Sequence, residues 1–208
     1  NELYHNNGDG TFTDVTQNSG VGNGSQESFQ STWIDIDQDG LLDLHVVNDR
    51  IAMLNAFYRN NGDGTFSDMA SIWNVDAGIY AMNSCFGDYD RDGDMDLYVT
   101  NGPAGNRMFL NQFNESMGFV DVTQYEGVAV NQLCWGACFI DHENDTWLDL
   151  YVATGISFYT VVPEVFESHG VIHNVFFSSS GSSPLLSFSE EIPNSDQYGF
   201  SIAKGDYN

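Results

Sequence analysis

Asp88-Tyr89-Asp90-Arg91-Asp92-Gly93-Asp94-Met95-Asp96, running on into Leu97-Tyr98-Val99, is the stretch that decides the fold. Counted from Asp88, acids stand at positions 1, 3, 5 and 9, and Gly93 stands at position 6. Carboxylates on alternate residues of a tight turn converge on one point, and they repel one another unless a cation sits among them. Many oxygens around one centre suit a hard cation, Ca2+. A calcium loop between helices closes on a glutamate at position 12, but here position 12 is Val99, inside an apolar run. The loop closes instead on Asp96 and passes straight into a strand, so it is predicted to join two β-strands.

The pattern recurs. Asp35-Ile-Asp37-Gln-Asp39-Gly40-Leu-Leu-Asp43 begins 53 residues before Asp88, and Asp141-His-Glu143-Asn-Asp145-Thr146-Trp-Leu-Asp149 begins 53 after it. A fourth copy opens at Asp206-Tyr207-Asn208. One such match is a moderate signal, because acidic turns are common. Three at equal spacing, each leading into an apolar strand, are a strong one.

A second anchor runs in step with the first. Asn1-Glu-Leu-Tyr4, Asn55-Ala-Phe-Tyr58, Asn106-Arg-Met-Phe109 and Asn174-Val-Phe-Phe177 are one motif. Behind the first two come Asn7-Gly8-Asp9-Gly10-Thr-Phe12 and Asn61-Gly62-Asp63-Gly64-Thr-Phe66. Asn-Gly and Asp-Gly supply the positive φ that tight hairpin turns demand. Each repeat then reads as four short strands: 29–36, 42–47, 56–59 and 65–69 in blade one, and 82–87, 95–100, 107–110 and 118–122 in blade two. The segments are 1–16, the end of a preceding blade; 27–70; 80–123; 132–190; and 196–208, the start of a further blade. Four antiparallel strands repeated every 40 to 55 residues predict an all-β fold, a β-propeller. A row of independent sandwich modules would need linkers, and no stretch has linker composition.

The 208 residues carry 30 Asp+Glu against 5 Lys+Arg, a net charge of −25. That excludes nucleic acid, whose binding needs clustered Lys and Arg, and anionic membrane surfaces. The six charges of three Ca2+ leave the surface acidic. No apolar run is long enough for a transmembrane helix. The three cysteines form no disulfide framework; Cys134 and Cys138 are expected to share a strand face, too far apart along it to bond. His169 and His173 lie in a segment without helical character, His5, His45 and His142 are scattered, and no nucleophile elbow or phosphate loop occurs. The sequons are Asn23-Gly-Ser25, Asn114-Glu-Ser116 and Asn144-Asp-Thr146, the third inside an acidic loop.

The Asp-x-Asp-x-Asp-Gly-x-x-Asp-Leu-Tyr-Val runs and Asn-Asn-Gly-Asp-Gly-Thr-Phe resemble FG-GAP/VCBS repeats, found in integrin α-subunit propellers, cartilage acidic protein and secreted bacterial proteins. The resemblance spans nearly the whole chain except 156–173. It departs in detail: Phe86-Gly87 precedes the second loop, but Trp33-Ile34 and Phe139-Ile140 precede the others. It implies an extracellular, calcium-stabilised propeller, with Ca2+ as cofactor at about one ion per complete loop. By the family pattern the ligands are Asp35, Asp37, Asp39, the Leu41 carbonyl and Asp43; Asp88, Asp90, Asp92, the Asp94 carbonyl and Asp96; Asp141, Glu143, Asp145, the Trp147 carbonyl and Asp149; and Asp206 and Asn208 of the incomplete copy. Loop three is expected to be the weakest complete site, because Glu143 is longer than Asp and Thr146 replaces the glycine.

About four repeats fit the chain, against about seven blades in most such propellers, so an open fragment is expected; the alternative is a closed four-bladed ring. Extracellular calcium modules bind at roughly 0.1 to 1 mM, which places the protein outside the cell or in a periplasm. A catalytic metal needs an open position and a nearby acid or base, and no enzyme is expected. Function is read as a binding or adhesion module for a protein or glycan, with a structural subunit of an extracellular assembly as alternative and a propeller hydrolase or lyase as third. From the last loop acid to the Asn anchor takes 12 residues in blade one, 10 in blade two and 25 in blade three. The surplus, 156–173, carries Phe158, Tyr159, Phe166 and His169 and is the expected partner site, with a local packing elaboration as the alternative reading and the calcium face as the competing site.

Overall fold

The computed structural model describes residues 1–102, 104–113, 118–155, 174–179, 181 and 186–191, the last six by their backbone alone. The chain divides into two compact units, Asn1–Ile79 and Tyr80–Asn208. The first holds a hairpin of β1 (Tyr4–Asn6) and β2 (Phe12–Asp14), a one-turn helix α1 (Thr16–Ser19), and a sheet of β3 (Ser28–Ile34), β4 (Asp43–Asn48), β5 (Ala56–Asn60) and β6 (Phe66–Asp68). The second holds β7 (Ser84–Gly87), β8 (Asp96–Val99), β9 (Arg107–Asn111) and β10 (Phe119–Asp121), a one-turn helix α2 (Thr123–Glu126), then β11 (Cys134–Ile140), β12 (Asp149–Thr154), β13 (Val175–Ser179) and β14 (Leu186–Glu191). In each four-stranded sheet the strands lie side by side in chain order and pair antiparallel. That is the propeller blade expected from the sequence, and the fold is all-β apart from the two short helices.

Those helices have no counterpart in the sequence reading, because four residues are too few to display a 3.6-residue period. Their cause is local. Asp14 and Asp121 each accept the N–H two residues on, from Thr16 and Thr123 at 2.9 Å. Each turn then ends on a left-handed glycine, Gly20 (φ 83°) or Gly127 (φ 68°). The hairpin turns behave as their composition requires. Gly62 and Gly64 have φ of 77° and 87°, and Asp63 accepts the Thr65 N–H at 2.9 Å.

The second strand of each blade is buried on both faces, as β4 and β8 show along their whole length. This is why Leu97-Tyr98-Val99 reads as an unbroken apolar run rather than an alternation. In the second unit Phe139 of β11 stacks on Tyr89, ring centroids 6.3 Å apart. A Cβ on Gly87 would come within 2.8 Å of the Phe139 ring. The glycine that precedes loop two is therefore the seat of an aromatic ring from the following blade. The Asn anchor also gains a cause: Asn55, Asn106 and Asn174 accept the N–H of Asn48, Asn101 and Thr154 at 2.9, 2.8 and 3.0 Å. Each anchor side chain thus closes the connection between second and third strands.

One expectation is overturned. Cys134 and Cys138 do not share a face, because the β11–β12 register shifts between Cys134 and Gly136. Cys134 pairs with Thr154 and Cys138 with Tyr151, residues of opposite parity on β12. Cys134 sits in the core, where burial pushes its thiol up to about 12, and none of the three cysteines is in a disulfide. His45 is likewise a core residue: fully buried against Phe57, it is pushed down to about 3 by loss of solvent and stays neutral. The insertion 156–173, the Asn114 sequon, most of the Ser-rich turn at 178–184, the strand at 199–205 and the fourth loop at Asp206 and Asn208 lie outside the described residues.

Candidate metal centre

All three complete loops share one backbone. Position 6 is left-handed in each, with φ of 87° at Gly40, 97° at Gly93 and 76° at Thr146. Position 4 is left-handed too, with φ of 56° at Gln38, 64° at Arg91 and 59° at Asn144. Two left-handed residues in three aim the side chains at positions 1, 3 and 5 toward one point. The glycine at position 6 announces this in two loops, but position 4 carries no sequence signal. Thr146 pays a steric penalty, since a β-branched residue at positive φ is strained.

The carboxylates follow the backbone only in part. In loop one, Asp35, Asp37 and Asp39 each place an oxygen within 4.8 Å of the others, and in loop two Asp88, Asp90 and Asp92 do the same. Among the described residues these are the two such groups. Loop three closes on itself instead. The two Asp141 oxygens accept the N–H of Asp145 and Thr146, both at 2.9 Å. Glu143 turns back to hydrogen-bond Asp149, which raises its pKa. In the intact loops one oxygen of the first acid, Oδ1 of Asp35 and of Asp88, is buried with no hydrogen-bond partner. A buried carboxylate oxygen left unpartnered is costly. An all-oxygen set with such an oxygen fits a hard cation, which would be held by the acids at positions 1, 3 and 5.

Position 9 does something else as well. Asp96 is wholly buried, and it accepts the N–H of Tyr89 at 3.2 Å and of Asn111 at 2.9 Å. Asp43 accepts from Ile36 (3.2 Å) and Asn60 (2.8 Å), and Asp149 from His142 and Ser179 (both 2.9 Å). This acid ties the loop to the end of the third strand in every blade. Its partner Asn111 also donates through Nδ2 to the Met95 carbonyl at 3.1 Å, as Asn60 does to Leu42 at 3.0 Å. These asparagines went unread, although Asn6, Asn60 and Asn111 recur at one place in the repeat.

At position 7 the N–H donates to the acid at position 5, from Leu41 at 2.9 Å, Asp94 at 3.0 Å and Trp147 at 2.9 Å. Burial dominates the electrostatics of loop two. It pushes Asp90 up to about 6, Asp94 up to about 7 and Asp96 up to about 9, with Asp92 adding repulsion at each. In loop one burial raises Asp43 as well.

The sequence places one basic residue, Arg91, within the loops. The structure moves the relevant cation elsewhere. The Arg91 guanidinium carbon lies 5.0 Å from the centre of the Trp147 ring. Arg59, at the end of β5, instead reaches loop one, with Nε 2.6 Å from Asp37 and Nη2 3.0 Å from Asp39. Its signal was faint: one of only 5 basic residues, four places after the Asn55 anchor.

This arrangement of blades and acidic turns has known counterparts. The FG-GAP-like repeat family matches residues 1–46, 35–99 and 88–152. The chain belongs to that family. Among curated proteins, cartilage acidic protein 1 of Xenopus tropicalis is 27% identical over 170 residues, which cover 76% of this chain and 25% of that protein. This FG-GAP-like chain therefore spans about a quarter of the length of the relative it matches. The second and third family matches each run from one acidic loop through the next, so the loops mark the period of the family as well as of the chain. No helix among the described residues is long and apolar enough to cross a membrane.

Proposed function

We propose that the chain is a calcium-stabilised, extracellular propeller module that binds a protein or glycan partner. The observation that carries the calcium part is the pair of unpartnered buried oxygens, Asp35 Oδ1 and Asp88 Oδ1, each within a gathered triad of acids. When bound, Ca2+ supplies positive charge and replaces hydration with carboxylate oxygens. The chain's own residues do the rest: the left-handed pair fixes the turn, and the acid at position 9 fastens it to the blade. The role is structural, because binding to the folded state alone stabilises it by RT ln(1 + [Ca2+]/Kd). Similarity to a protein named for cartilage and for acidity supports the extracellular setting, where millimolar Ca2+ would fill such sites.

The partner reading rests on the sequence. Repeat-wide features build a scaffold, and function sits where the repeat is broken. A second reading, a subunit of an assembly, is favoured by Phe29 and Trp33, two large apolar side chains of β3 that lie exposed. At the position equivalent to Trp33, Phe139 is buried. Melting with EDTA, Ca2+ and Mg2+ tests the first part. Ca2+ is expected to raise the transition markedly and Mg2+ weakly, since Mg2+ demands a smaller octahedral site; identical curves refute it. Glycan-array binding by a monomer supports the module, whereas concentration-dependent self-association supports the assembly.

A further inference from the structure

We infer that Arg59 is a built-in competitor for the cation of loop one, so that the two intact loops load at different Ca2+ concentrations, loop two first. The inference rests on the calcium reading above and adds a regulating residue to it.

The two loops share their acids and their backbone, yet differ in what neutralises them. In loop one Arg59 forks across two of the three gathered acids, Asp37 and Asp39. This is charge-assisted hydrogen bonding of the strong, directional kind, and it occupies one oxygen of each. At the equivalent place in blade two, four residues after Asn106, stands Leu110. It packs against the apolar core instead. Arg91, the cation inside loop two's own sequence, lies over Trp147. Loop two therefore gathers Asp88, Asp90 and Asp92 with no such arginine fork across them among the described residues.

Two consequences follow for binding. A divalent ion entering loop one meets a fixed positive charge beside its ligands. Even with the dielectric constant of water, repulsion between charges of +1 and +2 some 6 Å apart lowers affinity on the order of tenfold. Loop one is also neutralised in part without an ion, so blade one loses less than blade two when calcium is withdrawn. The pair of sites then acts as a graded sensor: one ion is held firmly, and the other responds to changes in the surrounding concentration.

The test is calorimetric titration of the intact protein with Ca2+, in the wild type and in Arg59→Leu. Leucine is the residue that the same position accepts in blade two. The wild type is expected to show two binding events about tenfold or more apart. Arg59→Leu is expected to tighten the weaker one about tenfold and bring the two together. Arg59→Lys, which keeps the charge and loses the fork, is expected to stay within a few-fold of the wild type. Asp92→Asn, which weakens loop two, assigns the remaining event to loop one. Should Arg59→Leu fold only when Ca2+ is present, that also supports the inference, because it shows the guanidinium standing in for the ion. Two equal sites untouched by Arg59→Leu overturn the inference and leave the calcium reading standing, as does a loop-one site that weakens on losing the arginine. No binding in the wild type overturns the calcium reading itself.

Discussion

Removing Asp96 separates the two duties assigned to the ninth position of the loop. If that acid were only an ion ligand, Asp96→Ala would cost nothing in EDTA. The structure gives it a second duty, accepting the N–H groups of Tyr89 and Asn111. Both residues are buried, so truncation orphans two donors that water reaches poorly. Each orphan costs about 1 to 3 kcal/mol. Partial entry of water into the space left behind favours the lower half of that range, giving about 3 kcal/mol in all. No buried charge is relieved in return, because burial holds Asp96 neutral below about pH 9 in the ion-free fold. With a urea slope of about 2 kcal/mol/M, the midpoint of the second unit falls by about 1.5 M. Asp92→Ala is the control. Asp92 is exposed and accepts one N–H, from Asp94 at 3.0 Å, and its removal lessens repulsion among the acids, so in EDTA it moves the midpoint little. In saturating Ca2+ both variants lose stability. The assay is urea unfolding with and without EDTA, followed by fluorescence. Asp96→Ala indistinguishable from wild type in EDTA would refute the structural duty.

Three further outcomes are expected. Asp90→Ala lowers the denaturant midpoint in Ca2+ more than Glu143→Ala does, because Asp90 belongs to a gathered triad whereas Glu143 only hydrogen-bonds Asp149; equal losses contradict the ranking of the loops. In EDTA the protein is more stable at pH 5 than at pH 8.5. The folded-state pKa values of Asp90, Asp94 and Asp96 are raised, to about 6, 7 and 9, so the fold binds protons that the unfolded chain has released. That stability is complete below the ordinary Asp value near 4 and is lost as pH rises through 6 to 9; a melting temperature that rises over this range contradicts it, and Ca2+ flattens the dependence. Thr146→Gly stabilises by about 0.5 to 1 kcal/mol, since relief of a β-branched residue at φ 76° exceeds the added freedom of glycine in the unfolded chain. A lower melting temperature for that variant shows Thr146 to be unstrained.

The blades were legible because their signals are short in range and repeated. Asn-Gly-Asp-Gly dictates a hairpin wherever it stands, and the strand ends fall within two residues of their expected places. Repetition did the rest, since two copies of Asp-x-Asp-x-Asp and one of Asp-x-Glu-x-Asp at one spacing rule out chance. The degradation of loop three was legible at Glu143 and Thr146 for the same reason. What the sequence withheld depends on long-range neighbours. A one-residue bulge at Cys134 reverses the face of every residue on one side of it, and no composition announces a bulge. The fork of Arg59 onto Asp37 and Asp39 joins residues about 20 apart in the chain. The ninth acid looks in sequence like a fourth ligand equal to the rest; only the packing of the third strand against the loop shows that it also satisfies two backbone donors. Acids, glycines and their spacing thus fixed the kind of fold and the place where a cation would go. Which acids gather and which are already answered by an arginine or an N–H were settled by the tertiary structure, because electrostatic energies depend on burial and on distances between residues that the chain order keeps apart.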